Sequence, residues 1–422
     1  MSTWIEKGSA HGQINDSDLR QDLDRLLAKL ATGAQKVLLI PPDHTRLNSR
    51  AGEITAYLYG QLKDRAEVRI MPALGTHFEM TPEQLRMMFG GTVPLDAFIA
   101  HDWRNSLLPL GEVPADRIRE LSEGRLDFPM QVAVNRELFE GNYDLILSIG
   151  QIVPHEVIGM ANYTKNIMIG VGGGDTINKS HYLGAVYGME RIMGETESPV
   201  RSALNEGFDT FVRPKVNMHF IFTVIGKDGD DLALKGLYAG DDHETFAKAC
   251  ELSRAVNLDK LEKPINKCVV YLDPEEFTST WLGNKAVYRT RKAMADDGEL
   301  VILAPALHTC GEDPEIDRLI RKYGYRGTSH TLKAVEDNAE LAENLSAAAH
   351  LIHGTSDGRF RIIYCPGEGV SREVIEGVGF EYRTYADAVA EYDPQQLKDG
   401  WNTVHGEEIF YVSNPALGLW TL

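Results

Sequence analysis

Cysteine is scarce in this sequence. Four cysteines, Cys250, Cys268, Cys310 and Cys365, are spread over 422 residues, and none of them forms a CxxC pair. This spacing argues against a disulfide framework and against a cysteine zinc site. We expect all four to be thiols of the hydrophobic core.

Long apolar runs and an excess of positive charge are also missing. No apolar stretch approaches the roughly 18 to 20 residues that span a membrane, and the opening MSTWIEKGSAHGQIND contains no segment typical of a signal sequence. Lysine and arginine number 43 against 62 aspartates and glutamates, and the net charge of -19 repels nucleic acids and anionic lipids. We expect a cytoplasmic protein with a small-molecule substrate, no nucleic acid partner and no membrane partner.

The short motifs of several common catalytic sites are absent as well. The sequence has no HExxH, no GxSxG, no GxxxxGK[ST] and no three-carboxylate metal pattern. GVGGGD, residues 170–175, lacks the second half of a GxGxxG fingerprint. We interpret it as backbone kept free of side chains so that a bulky group, such as a cofactor, can lie against it.

What the sequence does contain is an alternation of short runs of Val, Ile and Leu with longer amphipathic stretches. This alternation predicts buried parallel strands joined by helices. The clearest predicted strands are 36–42, 66–74, 95–101, 143–150, 268–274, 298–305 and 359–367. A β-hairpin is predicted over 218–240, with its turn in KDGDD, and helices are predicted over 313–324 and 335–352.

The chain is longer than one hydrophobic core usually organises, so two domains are expected. NLDKLEKPINK, residues 257–267, is charged and precedes a new apolar strand, which sets the predicted boundary near 265. The predicted fold class is α/β, with two α/β domains, mostly parallel sheets and an active-site cleft between them. Residues 1–265 form the N-terminal domain with the histidine motifs, and residues 266–422 form the C-terminal domain that closes the cleft.

Charged and imidazole side chains follow four predicted strands. They are Asp43 to Arg46, His77, the pair His101–Asp102, and His155. Ligands of open α/β sheets bind beyond the carboxyl ends of the strands, so these side chains could converge in one cleft. Each of them alone is equally well explained as a solvated loop residue or a helix cap.

The segment VPHEVIGMANYTKNIMIGVGGGDTINKSH, residues 153–181, places Lys165 ten residues after His155 and His181 sixteen residues after Lys165. Together with DHTR, LGTH and the later WLGNKAVYRTRKAM, this order and spacing resembles the nickel-dependent lactate racemase family. The resemblance covers most of the chain. Its members hold a pyridinium mononucleotide whose two sulfur-containing groups grip nickel as a pincer.

The resemblance implies a role for each matching residue. Lys165 would attach the nickel pincer nucleotide through a thioamide, His181 would be a nickel ligand, and Asp43 would hold the cofactor. The implied catalytic acid/bases are His77 and His155. Arg46 and Lys285 would bind the substrate carboxylate, and cofactor-synthesis enzymes would be partners.

The implied reaction is racemisation or epimerisation of a 2-hydroxy acid, which makes the protein an isomerase. Removing the C2 proton would place a second negative charge beside the carboxylate, whereas reversible hydride transfer to the cofactor avoids it. One base is then needed for each orientation of the hydroxyl, and histidine titrates in the right range.

Several positions differ from lactate racemase itself. Trp281 stands where that enzyme has tyrosine, Leu282 where it has glutamine, and Asn162-Tyr163-Thr164 where it has a Gly-Gly-Arg run. We therefore expect a substrate larger than lactate, such as a sugar acid, with Asn162 and Tyr163 facing it and Trp281 stacking on it.

Two other functions remain open at this point. The first is a protein that stores or delivers nickel or the pincer cofactor, although storage needs no acid/base pair. The second is a nicotinamide-dependent 2-hydroxy acid oxidoreductase, which the incomplete glycine fingerprint weakens. Without the resemblance, Lys165 could also be an ordinary surface lysine and the histidines could be structural.

Overall fold

The computed structural model describes residues 3–228, 231–416 and 418–422. The chain divides into two compact units: the first contains residues up to Leu183 together with Ile192–Asn257, and the second contains Gly184–Arg191 together with Leu258–Leu422. The main division at Asn257 therefore falls shortly before the predicted boundary near 265, and residues 184–191 group with the later part of the chain.

Ten strands lie in the described part of the chain up to Asn257. They are β1 (Thr3–Gly8), β2 (Lys36–Ile40), β3 (Glu67–Ile70), β4 (Leu107–Val113), β5 (Met130–Asn135), β6 (Leu145–Gln151), β7 (Pro154–His155), β8 (Gly159–Met160), β9 (Met218–Asp228) and β10 (Asp231–Gly240).

The helices of the same part of the chain are mostly short. They are α1 (Asp16–Leu30), α2 (Ala51–Leu62), α3 (Pro82–Phe89), α4 (Ala115–Leu121), α5 (Glu137–Glu140), α6 (Thr164–Met168), α7 (Gly174–Tyr187), α8 (Met189–Ile192), α9 (Pro199–Gly207) and α10 (His243–Asn257). Three 3₁₀ turns, His44–Ser49, Leu95–Ala97 and Arg213–Lys215, and one π turn, Phe208–Val212, complete it.

A six-stranded mixed sheet of order β1-β10-β9-β6-β2-β3 forms the centre of the first unit. Strands β9, β6, β2 and β3 run parallel, whereas β1, β10 and β9 pair antiparallel. Strands β2 and β6 are buried along almost their whole length, which explains their continuous runs of Val, Ile and Leu. Because β6, β2 and β3 are parallel, their carboxyl ends lie at one edge of the sheet.

Helices α1 and α2 cover this sheet with apolar faces of helical spacing. Leu19, Leu23 and Leu26 of α1 pack in the same cluster as Ile54 and Leu58 of α2 and the strand residues of the core. The α1 helix begins at a capped end, since the Asn15 side chain accepts a hydrogen bond from the backbone N–H of Asp18.

The second unit contains eight strands and eight helices of its own among the described residues. The strands are β11 (Asp259–Lys260), β12 (Ile265–Tyr271), β13 (Met294–Ala304), β14 (Arg361–Pro366), β15 (Glu381–Tyr382), β16 (Gly400–Val404), β17 (Glu407–Val412) and β18 (Trp420–Thr421). The helices are α11 (Thr280–Gly283), α12 (Lys285–Thr290), α13 (Pro314–Tyr323), α14 (Thr328–Asp337), α15 (Ala339–Ala342), α16 (Leu345–His353), α17 (Arg372–Gly377) and α18 (Tyr385–Glu391).

The main sheet of the second unit has the order β15-β14-β13-β12-β17-β16 and is parallel except for its edge pair, β16 with β17. The predicted α/β class is therefore confirmed, with antiparallel pairs at one side of each main sheet. In the described part of the chain, no helix combines the length and the apolar character that a bilayer span requires.

Three predicted elements can be compared with the structure directly. The hairpin of β9 and β10 is confirmed as an antiparallel pair, although Gly229 and Asp230 of its turn lie outside the described residues. The strand predicted over 95–101 is wrong: Pro94 precedes the 3₁₀ turn Leu95–Ala97, and only Phe98 bridges to β3. The helix predicted over 335–352 is also wrong as one element, because Asn338 has extended dihedral angles and Asn344 caps a new helix.

Candidate active site

The residues that follow β2, β3 and β6 line one cavity of about 260 Å³ in the first unit. It includes six of the predicted site residues of that unit: Asp43, Arg46, His77, His155, Lys165 and His181. The first four follow strands of the parallel part of the sheet, whereas Lys165 and His181 are on α6 and α7. The convergence that the strand ends predicted is thus observed for three strands of the four.

Asp43 and His77 form a hydrogen-bonded pair in this cavity. Asp43 is buried, and its Oδ2 lies 2.6 Å from His77 Nδ1, while Thr45 N–H donates to Oδ1 at 3.1 Å. Burial raises the pKa of Asp43, but the hydrogen bonds from His77 and Thr45 outweigh it and hold that pKa below its ordinary value. The carboxylate therefore accepts the Nδ1 proton of His77, which leaves Nε2 as a free base when the ring is neutral.

His155 is held in the opposite arrangement. It is buried, and its Nδ1 accepts a hydrogen bond of 3.1 Å from the backbone N–H of Val157. Burial lowers the pKa of His155 well below its ordinary value, and the positive charges of Lys165 and Arg46 add to this effect. The neutral ring must then carry its proton on Nε2. In this arrangement His155 offers a hydrogen-bond donor where His77 offers an acceptor.

Lys165 lies near the start of α6 and reaches the same cavity. Burial, together with the nearby charge of Arg46, lowers the pKa of its amine from the ordinary value to about 8. A substantial fraction of this amine is consequently neutral near physiological pH, which is the form that attacks an electrophilic carbon.

His181 lies on α7, where its Nδ1 donates to the backbone carbonyl of Ile177 at 2.6 Å. Burial lowers the pKa of His181, so the ring is neutral at pH 7 with its Nε2 lone pair free. A metal-binding histidine characteristically donates its other N–H to a carbonyl in this way. The orientation of His181 therefore fits the predicted role of a single imidazole ligand.

The described residues contain no group of three or more His, Cys, Asp and Glu side chains arranged to hold a metal ion. A metal at His181 would need further ligands from a bound organic group, which is what a sulfur pincer supplies. The cavity combines one lone imidazole with one amine of lowered pKa. These residues fit the nickel pincer nucleotide.

Arg46 is exposed at the cavity, after the 3₁₀ turn residues His44 and Thr45. Within the described ranges its guanidinium has no hydrogen-bond or ion-pair partner, so both edges are available to an incoming carboxylate. His44 bonds instead to Gln84, at 3.0 Å between the two Nε2 atoms.

Asn166, which the sequence reasoning missed, also lines the cavity. Its Nδ2 donates to Ile40 O at 3.1 Å and to Ser148 Oγ at 2.9 Å, so it joins α6 to β2 and β6. Its position beside Lys165 was the only available signal in the sequence.

The interpretation of Tyr163 as a substrate contact is wrong. Its side chain is 2% exposed, its ring stacks on Phe246 at 5.1 Å, and its hydroxyl accepts a hydrogen bond from Arg213. Asn162, by contrast, does line the cavity. The difference arises because the chain turns sharply between the two residues, both of which have positive φ.

The glycines of GVGGGD also have a different explanation from the predicted one. A Cβ on Gly172 would lie 1.8 Å from Met168 O, and one on Gly173 would lie 2.8 Å from Leu107. Of these glycines, the cavity lining includes Gly170. The close approach of α6 and β4, more than space for a bound group, thus requires glycine here.

His101 is buried and does not reach the cavity lining. Its Nε2 donates to Gly172 O at 3.1 Å and its Nδ1 accepts from Asn135 Nδ2 at 3.0 Å. Burial lowers the pKa of His101. His101 is therefore neither a cavity residue nor a solvated loop residue, the two alternatives left open by the sequence, and it instead fixes the glycine segment that leads into α7.

Trp281 and Lys285 belong to the second unit. The Trp281 ring stacks on His350, with 3.9 Å between ring centroids, and one of its faces is therefore occupied. Lys285 Nζ lies 3.3 Å from Glu276 Oε1. Their roles in substrate binding stay predictions.

The comparisons with known proteins agree with this geometry. Residues 19–192 match the family model described as "Lactate racemase N-terminal domain". The predicted resemblance to the lactate racemase family is thereby confirmed for this N-terminal region.

Two solved structures are similar over nearly the whole chain. A structural-genomics crystal structure of a protein from Thermotoga maritima has a TM-score of 0.80 and 22% identity, covering 99% of both chains. The lactate racemase apoprotein from Thermoanaerobacterium thermosaccharolyticum has a TM-score of 0.70 and 16% identity, covering 96% of this chain and 93% of that one. At these identities the likeness supports the fold. No curated protein matches the sequence.

Proposed function

We propose that this protein is a racemase or epimerase of a 2-hydroxy acid, dependent on a nickel pincer nucleotide attached to Lys165. One observation carries the proposal: a single cavity brings together an acceptor histidine, a donor histidine, a lysine of lowered pKa and a histidine with a free Nε2. The match of residues 19–192 to the family model supports the same class of reaction.

In this proposal the bound cofactor would accept the C2 hydrogen with its electron pair and return it. The rest of the work falls to side chains of this chain. His77 Nε2 takes the hydroxyl proton, and Asp43 stabilises the resulting imidazolium through Nδ1. Arg46 holds the carboxylate at one edge of the cavity, so that the planar oxo group can present its other face.

His155 serves the opposite face. In its resting form the Nε2–H donates a hydrogen bond to the substrate oxygen. To take up the hydroxyl proton at Nε2, the neutral ring must first carry its own proton on Nδ1, which ends the hydrogen bond from Val157 N–H. At rest, therefore, His77 is the base, with a free Nε2, and His155 is the hydrogen-bond donor. Each ring acts as an acid only after its Nε2 has taken up a proton from the substrate. This pairing also favours catalysis over storage of the cofactor, since storage has no use for two oriented imidazoles.

For the substrate we propose a 2-hydroxy acid larger than lactate, such as a sugar acid. Support comes from Asn162, whose amide lines the cavity and can bond to further hydroxyls. We further propose that Lys285 binds the carboxylate of the same substrate and that Trp281 stacks on its carbon chain.

The test is mass spectrometry of the Lys165 peptide from protein made with pincer-synthesis enzymes, followed by assays on both antipodes of lactate and of gluconate-like acids. We expect a mass increase on Lys165, interconversion without reduction of NAD, and a preference for the longer acids. An unmodified Lys165 with no pincer elsewhere on the protein would refute the cofactor assignment. Net reduction of NAD would favour the oxidoreductase instead, and a strong preference for lactate would refute the substrate assignment.

A further inference from the structure

Arg201 of α9 is a fully buried arginine whose position needs a reason. Its side chain is 0% exposed, and its guanidinium has no carboxylate partner among the residues that the structure describes. Burial lowers the pKa of Arg201 to about 10. Removing a charge from water without an opposite charge is costly, so such a residue is retained only where its hydrogen bonds matter.

Those hydrogen bonds all go to one short segment. Nη2 donates to Met160 O at 2.6 Å, and Nη1 donates to Asn162 O and to Thr164 Oγ1, each at 3.1 Å. Thr164 in turn donates to Asn205 on the same helix as Arg201. The guanidinium thus binds Met160 before the turn, Asn162 within it and Thr164 after it.

This turn is strained. Asn162 has φ 69° and Tyr163 has φ 60°, two consecutive residues with side chains in a region that favours glycine. A residue with a side chain is strained in this region and persists there only where the surroundings hold it. Tyr163 packs on Phe246, and Arg201 binds two backbone carbonyls before Tyr163, those of Met160 and Asn162, and the Thr164 hydroxyl after it.

The strained turn leads directly into α6, whose second residue is Lys165. On the other side Asn166 is fixed to β2 and β6, so the direction of the Lys165 side chain depends on the turn. We propose that Arg201 is a positioning residue that holds the 160–164 turn and thereby directs the Lys165 amine into the cavity. The importance of this role rests on the proposed function, in which Lys165 carries the cofactor.

The charge of Arg201 also acts on the amine. Burial and Arg46 are the larger causes of the lowered pKa of Lys165, and Arg201 adds to them. A released turn would expose the amine to water and return its pKa toward the ordinary value of 10.5. The titration of Lys165 in Arg201→Lys, which keeps the charge, therefore reports on the turn independently of any cofactor.

The experiment uses the full-length protein without cofactor and compares wild type with Arg201→Met, Arg201→Lys and the control Arg254→Met. Arg254 lies on α10 of the same unit, and its hydrogen bond goes to Thr196 instead of to residues 160–164. Trace acylation with acetic anhydride at pH 6 to 11, read by peptide mass spectrometry, gives the pH midpoint of Lys165 labelling. Thermal unfolding identifies the variants that fold.

We expect a wild-type midpoint near the value of about 8 and a shift of about one pH unit or more upward in Arg201→Met. Labelling at pH 7 then falls by roughly tenfold, since each unit of pKa is a factor of ten in neutral amine. Arg201→Lys keeps the charge but cannot reach all three acceptors, so we expect a smaller upward shift. Arg254→Met should leave the midpoint unchanged.

A wild-type midpoint in either folded Arg201 variant would overturn the inference, and Arg201→Lys alone decides the matter if Arg201→Met does not fold. Protein loaded by the synthesis enzymes gives a second readout, in which both variants should carry less cofactor on Lys165 than wild type. Absence of cofactor from wild-type Lys165 would contradict the proposed function while leaving the labelling result, and hence the inference about the turn, intact.

Discussion

At the scale of single residues, the tautomers of three histidines define the candidate site. His77 donates from Nδ1 to a carboxylate, His181 donates from Nδ1 to a carbonyl, and His155 accepts at Nδ1 from an N–H. Sequence spacing identified the three histidines, but it could not distinguish these states. Only the folded chain shows that Asp43 bonds to His77 and that the Val157 N–H bonds to His155.

The tautomers themselves are the first prediction. In the cofactor-free protein at pH 7.5, we expect neutral His155 to be protonated at Nε2 and neutral His181 to be protonated at Nδ1. Long-range nitrogen–proton NMR correlations distinguish the two forms, and His155→Gln and His181→Gln provide the assignments. Observation of both rings in the same tautomer would contradict the different roles proposed for them.

Substitution of Asp43 by asparagine is the second prediction. The amide cannot accept the Nδ1 proton of His77 as a carboxylate does, so the ring should turn to the Nε2–H form and lose its base. We expect turnover to fall by roughly 10²–10⁴-fold with the fold retained. The measurement is kcat of the loaded enzyme on its best 2-hydroxy acid, with Asp102→Asn as control, because Asp102 bonds only within its own loop. Unchanged turnover in Asp43→Asn would exclude the proposed pair.

At the scale of elements, the runs of Val, Ile and Leu were sufficient to predict β2, β6, β12 and β14, because strands buried on both faces have little other composition available. The segment 95–101 has a similar composition, but it follows Pro94 and begins with a 3₁₀ turn instead of the predicted strand. The burial of Tyr163 depends on Phe220 and Phe246, distant in the chain, which no local pattern reveals. Elements were therefore predictable where burial is two-sided or where turn chemistry marks a hairpin, as for β9 and β10. Residues of the cavity lining were predictable from the strand ends for Asp43, His77 and His155, and from the family resemblance alone for Lys165 and His181.

The approach of α6 to the glycine segment gives the third prediction. In Gly172→Ala the new Cβ would meet Met168 O at 1.8 Å, a backbone atom that cannot move without displacing α6. We expect a loss of roughly 1–3 kcal/mol in the free energy of unfolding, with weaker cofactor attachment on α6. Gly60→Ala is the matched control within α2, because its Cβ meets nothing within 4 Å and helix propensity favours alanine there. Urea unfolding checks both, and equal stability of the two variants would contradict the packing argument.

At the scale of the whole molecule, several histidines are buried in neutral form. Burial lowers the pKa of five of them: His101, His155, His181, His219 and His350. An unfolded chain protonates all of them as the pH falls through about 6.5, whereas the folded protein does not. The unfolded state then binds more protons, so the free energy of unfolding must decrease as the pH falls below about 6.5. Asp43, with its lowered pKa, contributes in the same sense as these histidines, because the unfolded chain also protonates this carboxylate first, but only in the more acidic range near and below pH 4.

The fourth prediction follows from this balance and concerns His350. Its two ring nitrogens bond to the hydroxyls of Tyr288 and Tyr325, and the Trp281 ring stacks on its face. One of the two nitrogens of the neutral ring accepts its hydrogen bond from a tyrosine hydroxyl, and protonation of that nitrogen would turn an N–H toward this donor. Each histidine kept neutral by the fold adds about 1.4 kcal/mol per pH unit to the slope of stability below pH 6.5. His350→Gln should therefore make the decrease between pH 6.5 and 5 shallower by about that slope, while the exposed His330→Gln should leave it unchanged. Urea unfolding at pH 7, 6 and 5 measures both. If the free energy of unfolding changed with pH equally in His350→Gln and wild type, the prediction would be wrong, because the folded protein would then protonate His350 as readily as the unfolded chain does.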